Sequence, residues 1–157
     1  MSKEHHYNTK IIWTGNQGLG TIDAGAYQRS HTLFIEHKVD ILCSSDTRFR
    51  GDASKHNPED ALVYALSSCH MLWYLHICAD NGIVITDYID NVTGTMIEVP
   101  GGGGHFTEVT LHPIVTITDK TKIDLANALH SEANKKCFIA NSSNFKITHH
   151  PTCLIHS

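Results

Sequence analysis

The chain has no basic run: its 12 Lys and Arg are scattered among 16 Asp and Glu, leaving a net charge of -4 at pH 7. Phosphate backbones and anionic membranes are recognised through clustered cations, so this balance argues against both as partners. No stretch reaches the ~18 consecutive apolar residues of a membrane span. The N-terminus, Met1-Ser2-Lys3-Glu4-His5-His6, lacks the basic-then-apolar order of a secretory signal. Cysteine is scarce and odd in number, at Cys43, Cys69, Cys78, Cys137 and Cys153, which does not fit a secreted disulfide framework. The expectation is a soluble, cytoplasmic protein. There is no Cys-x-x-Cys, no His-Glu-x-x-His and no phosphate loop ending in Gly-Lys-Ser/Thr, which removes the compact signatures of metal and nucleotide sites. Thirteen histidines are present, but none stand four apart on a predicted helix. His70 and His76 are expected as polar neighbours at an interface or the rim of a site.

The length, 157 residues, suits one domain over residues 1–157 with a real apolar core. Residues 7–13 are β-prone, Gly15-Asn16-Gln17-Gly18-Leu19-Gly20 reads as a hairpin turn, and residues 21–25, 31–36 and 38–44 read as further strands. Asn57-Pro58-Glu59-Asp60 is a strong helix start: an N-cap side chain, a proline with its φ already set, and two acids at the positive end of the dipole. Ala61, Leu62, Ala65, Leu66, Cys69, Leu72, Trp73 and His76 carry the helical period to Asn81, and Gly82 supplies the left-handed stop. Residues 83–99 and 105–118 are expected as one long hairpin around Pro100 and Gly101 to Gly104. A helix over 119–136 and a last strand over 144–150 follow. The order β-β-β-α-β-β-α-β points to an α+β fold with helices packed on antiparallel sheet.

Two cysteines carry the chemistry. Cys69 sits midway along the first long helix and Cys137 closes the second, 68 residues later. A free thiol titrates near 8.5, so only about 3% is thiolate at neutral pH, and the thiolate is the nucleophile. Cys69 is about 16 Å inside its helix, beyond the reach of the dipole, so a side-chain cation has to activate it. Arg48 is the candidate, with Glu59 as the carboxylate that holds it. At ~4 Å and an effective dielectric of about 20, one such charge stabilises the thiolate by roughly 4 kcal/mol before desolvation is subtracted. Cys137 would attack a sulfenic acid on Cys69 and stop oxidation at a disulfide. Cys78 lies nine residues from Cys69, on the opposite helix face, and is no rival partner. Met71, Trp73, Phe49 and Phe138 could line an apolar pocket, with core packing as the simpler role.

Four stretches carry a resemblance: Ser45-Asp46-Thr47-Arg48-Phe49-Arg50-Gly51, Asn57-Pro58-Glu59-Asp60-Ala61-Leu62, Ala65-Leu66-Ser67-Ser68-Cys69-His70 and Ala133-Asn134-Lys135-Lys136-Cys137. In order and spacing, over about residues 13–147, the chain resembles the OsmC/Ohr family of thiol-dependent organic hydroperoxide reductases. The resemblance implies antiparallel β-sheets wrapping two central helices in an intertwined homodimer, with active sites at the subunit interface. It implies Cys69 as the peroxidatic thiol, Cys137 as the resolving thiol and Arg48 with Glu59 as the activating pair. The substrate would be an organic hydroperoxide and the reductant a dithiol or a lipoylated protein; no metal, flavin or other cofactor is implied. Members of the Ohr branch place the activating arginine in the first hairpin, where this chain has Gly15-Asn16-Gln17-Gly18, so Arg48 fits the OsmC branch and Arg29 and Arg50 stand as substitutes. Two other readings stay open: a non-catalytic dimer that binds a small apolar ligand, and a metal-dependent hydrolase.

Overall fold

Asn57 caps the central helix in both directions. Its Oδ1 accepts from the Asp60 N–H at 2.8 Å and its Nδ2 donates to Asp60 Oδ2 at 2.8 Å, so one orphan N–H of the first turn is satisfied and the capping side chain is itself held in place. In this computed structural model, which describes residues 3–156, the helix α1 spans Pro58–Asp80 and ends at Gly82 with φ 65°. The chain divides into two compact units, Met1–Ala61 and Leu62–Ser157.

In the first unit, β1 (Lys10–Trp13), β2 (His31–Phe34) and β3 (Ile41–Cys43) form an antiparallel sheet in that order, with Trp13 opposite His31 and His31 opposite Cys43. The strand expected over residues 21–25 is absent; that stretch is a series of turns. Short polar side chains explain it: Asn16 Oδ1 accepts from the N–H groups of Gly18 and Gly20, and Asp23 Oδ1 accepts from that of Gly25. These bonds offer the backbone a local alternative to a ladder. β1 therefore pairs with β2 across a long loop instead of turning into a tight hairpin.

After β3, Asp46 Oδ1 caps a single 3-10 turn, Thr47–Phe49, by accepting from the Arg48 N–H at 2.7 Å. Arg50 is left-handed at φ 63°, and Gly51 then folds back so that its N–H donates to Asp46 O at 3.0 Å. A Cβ on Gly51 would overlap the Ser45 carbonyl. Gly51→Ala should therefore cost about 2 kcal/mol or more, read as a lower urea midpoint with an unchanged slope.

In the second unit the expected long hairpin is split between two sheets. β4 (Ile85–Asp90) pairs with β7 (Pro113–Ile117), whereas β5 (Thr93–Glu98) pairs with β6 (Gly104–Leu111) in another sheet. The switch has two causes at the corner. Pro113 has no N–H to extend a ladder, and Asp90 spends its carboxylate at the corner, accepting from His112 N–H at 2.7 Å and from Ser67 Oγ at 2.5 Å.

A 3-10 turn, Lys120–Lys122, leads into α2 (Ile123–Lys136), followed by a one-turn α3 (Phe138–Asn141) that the sequence reading did not separate. The last strand is also divided. β8 (Lys146–His149) joins β6 and β9 (Thr152–Ile155) joins β7, with the His150-Pro151 break sending the chain from one sheet to the other. Both additions are parallel, so the sheets are mixed within the expected α+β class.

Two apolar clusters hold the second unit. One gathers Tyr74, Ile77, Cys78, Val115, Ile117, Ala126, Leu129 and Ala133; the other gathers Leu66, Val109 and Leu111 with Val63, Phe106, Ile139 and Ile147 packed against them. α1 contributes to both. It is also long and apolar enough, by length and composition, to cross a membrane. Its average outweighs Ser67, Ser68, His70 and His76, which interrupt the apolar run. The core helix of a globular domain meets the same measure.

Candidate functional site

Cys69 and Cys137 come together in the second unit. Cys69 lies on α1 and is half-buried, whereas Cys137 is 1% exposed at the junction where α2 stops and α3 starts. Cys137 is held there on three sides. Its N–H donates to Ala133 O at 3.0 Å, its Sγ accepts from the Ala140 N–H at 3.3 Å as the cap of α3, and the Cys69 thiol is near enough to interact with it electrostatically. Burial first, and then the neighbouring Cys69 thiol, hold the Cys137 thiol well above the ordinary thiol range. All five cysteines are free. Cys78 is fully buried and its thiol is pushed up by desolvation, Cys153 likewise; Cys43 donates to its neighbour Ile41 O at 3.5 Å.

The candidate activating residues lie in the first unit. Arg48 is exposed on its 3-10 turn. Glu59, in the first turn of α1, is half-buried, and its Oε2 is buried without a hydrogen-bond partner among the described residues. Arg29 is already committed: Nη1 donates to Tyr27 O at 2.8 Å, Nη2 to Ala24 O at 2.7 Å, and the guanidinium stacks on the Tyr27 ring at 4.3 Å.

One polar cluster was missed by the sequence reading. His70 is not at a rim: it is 1% exposed, as is His130 on α2, and His70 Nε2 lies 2.9 Å from His130 Nδ1. The two rings are nearly coplanar, at 5°. Tyr74 stacks on His130 at 3.8 Å and donates its hydroxyl to Ala126 O at 3.0 Å, while His149 sits tilted 5.8 Å from His70. His70 Nδ1 is buried without a partner. An orphan lone pair is tolerated better than an orphan N–H, which puts the proton on Nε2 and makes His70 the donor. Desolvation, and then neighbouring imidazoles, lower His70 to about 4 and His130 to about 3. The pair is therefore neutral at pH 7 and ties α1 to α2 one residue from Cys69. The signal was present in the sequence: Leu66, His70, Tyr74 and Ile77 follow the helical step, as do Ala126, Leu129, His130 and Ala133, so both imidazoles fall on buried stripes.

His76 is exposed and lies 3.5 Å from Asp80. Trp73 and Phe138 meet edge to face at 6.0 Å, with Lys136 Nζ 5.5 Å from the indole. Among the described residues no group of three or more His, Cys, Asp and Glu is gathered to hold a metal ion.

A family model described as OsmC-like protein matches residues 51–150. No curated protein matches the chain in sequence. An OsmC-like protein of unknown function from Vibrio cholerae O1 biovar eltor is similar in structure, with a TM-score of 0.86 and 28% identity over 95% of this chain and 100% of that one. An organic hydroperoxide resistance protein from Elizabethkingia anophelis gives a TM-score of 0.68 at 16% identity, covering 98% of this chain and 100% of that one. The organic hydroperoxide resistance protein OhrB of Bacillus subtilis gives 0.61 at 18% identity, covering 93% and 98%. The last two speak to the fold alone.

Proposed function

This chain belongs to the OsmC-like family, and we propose that it is a cysteine-based peroxidase reducing organic hydroperoxides to alcohols. The observation that carries the reading is the pair of neighbouring thiols, one half-buried and one buried and held protonated. The Cys69 thiolate attacks the terminal oxygen of the hydroperoxide. The O–O bond breaks, an S–O bond forms, and the alkoxide takes up a proton and leaves as alcohol. Cys137 then loses its proton as its sulfur attacks the Cys69 sulfenic acid. The S–S bond forms and water departs, and an external dithiol or lipoylated protein returns two electrons by exchange.

Arg48 and Glu59 act as the activating pair in this reading. The unpartnered, buried Oε2 of Glu59 supports it, because a guanidinium is the donor such an oxygen lacks. The working form is a cytoplasmic homodimer. Leu72 on α1 and Phe138 on α3 are 61% and 69% exposed in the single chain, and apolar side chains of that size favour a protein partner over water.

The test is a steady-state assay with a dithiol donor. Cumene hydroperoxide should be consumed with a kcat/KM at least about tenfold above that for hydrogen peroxide, since the bulky apolar group contributes binding energy. Consumption of neither peroxide above the thiol-only background would reject the proposal.

A further inference from the structure

A cavity of about 480 Å³ opens in the first unit, and its lining includes Arg29, Arg50, Ser30, Ser44, Gly51 and Asp52. Its charge is one-sided. Asp52 is the acid of this lining and is already spent: it accepts from Ser54 N–H at 3.0 Å and Ser54 Oγ at 2.6 Å, and pairs with Lys55 at 3.1 Å. Arg29 keeps guanidinium N–H groups beyond the two given to Ala24 and Tyr27, and its plane is fixed by the stack on Tyr27. Arg50 adds a second cation from a left-handed residue next to Gly51.

The hydroxyls have unspent protons as well. Ser44, 1% exposed, accepts from the Asp52 N–H at 3.1 Å, and Ser30, 8% exposed, accepts from Lys55 Nζ at 2.8 Å. No acceptor among the described residues takes the proton of either hydroxyl. A buried donor without an acceptor is costly, and two beside two guanidinium groups call for a ligand made of acceptor oxygens. The volume suits a small molecule.

We infer that this cavity binds a small oxyanion, a phosphate or carboxylate group, held by Arg29 and Arg50 and by the hydroxyls of Ser30 and Ser44. The inference does not rest on the thiol chemistry.

Calorimetric titration of the reduced, full-length protein at low ionic strength with inorganic phosphate and, separately, with succinate tests the inference. Saturable binding with a Kd of about 1 mM or tighter is expected for at least one, and which one binds names the ligand class. Arg50→Asn keeps a residue that tolerates the left-handed backbone and removes the charge, so the fold should survive. It should weaken binding by at least about tenfold, and Ser44→Ala by a few-fold. Lys38→Gln, an exposed charge outside the cavity, should bind as the natural chain does. No saturable binding of either anion, or equal losses in Arg50→Asn and Lys38→Gln, would overturn the site, the second because it reports only diffuse charge.

Discussion

Cys69→Ser should lose organic hydroperoxide turnover by roughly a thousandfold or more, whereas Cys137→Ser should still consume one equivalent and then stall. The two variants separate because the proposed sulfurs do different work. Without the Cys69 thiolate no S–O bond forms at all. Without Cys137 the sulfenic acid forms but meets no thiol, and further peroxide carries it to sulfinic acid. Mass spectrometry of Cys137→Ser after ten equivalents of cumene hydroperoxide should show the two-oxygen adduct on the peptide holding Cys69. The natural chain should show a Cys69–Cys137 disulfide and little adduct. Equal turnover in the natural chain and Cys69→Ser would sink the mechanism. The closeness of the two thiols is what makes the contrast sharp: Cys137 is beside Cys69 before oxidation begins, so its removal is not compensated by Cys78, which is sealed in the core beside Tyr74.

Acid should destabilise this protein between pH 6.5 and pH 4, and the His70–His130 pair is the cause. An unfolded histidine takes a proton near 6.5, but in the folded chain His70 does so only at about 4 and His130 at about 3. Between these values the unfolded chain binds more protons, so stability is full above 6.5 and falls as the pH drops toward the folded values. Two such groups give a loss on the order of 2 to 4 kcal/mol between pH 7.5 and pH 5. Urea unfolding at those two pH values measures it, and a flat profile would show that the imidazoles are not buried neutral. Replacing both, as His70→Leu with His130→Leu, should flatten most of the slope, since no titratable ring remains in the pair. His70→Leu alone should cost about 1 to 3 kcal/mol at pH 7.5, because it strands His130 Nδ1 in an apolar site.

What could be read in the sequence was what is encoded within a few residues of itself. Asn57-Pro58-Glu59-Asp60 started α1 where expected because capping is local chemistry, and Gly82 stopped it for the same reason. The cysteines could be singled out because Cys69 occupies a helical position and Cys137 the cap just past one, where the period is visible. The missing strand at residues 21–25 failed on competition: the β-prone Thr21 and Ile22 lose to Asn16 and Asp23, whose side chains take up nearby N–H groups. The division of one long hairpin into two sheets depends on Asp90 reaching His112 and Ser67, partners 22 and 23 residues away. β9 lay behind Pro151, which reads as an end and serves as a corner. The imidazole pair joins residues 60 apart, and a helical stripe says which face a histidine occupies but not what it meets there.

Because α1 is wedged into both apolar cores of the second unit, it behaves as an axle, not a lever. Close-packed interiors transmit displacement, so sliding Cys69 by an ångström would disturb the packing of Leu66 at one end and Tyr74 at the other. The Cys137 side is the shorter element: α3 is a single turn, and Phe138 at its start faces outward. In the proposed reaction, any adjustment between the sulfurs would fall to the short turn, and the rate of disulfide closure would follow how easily four residues can give.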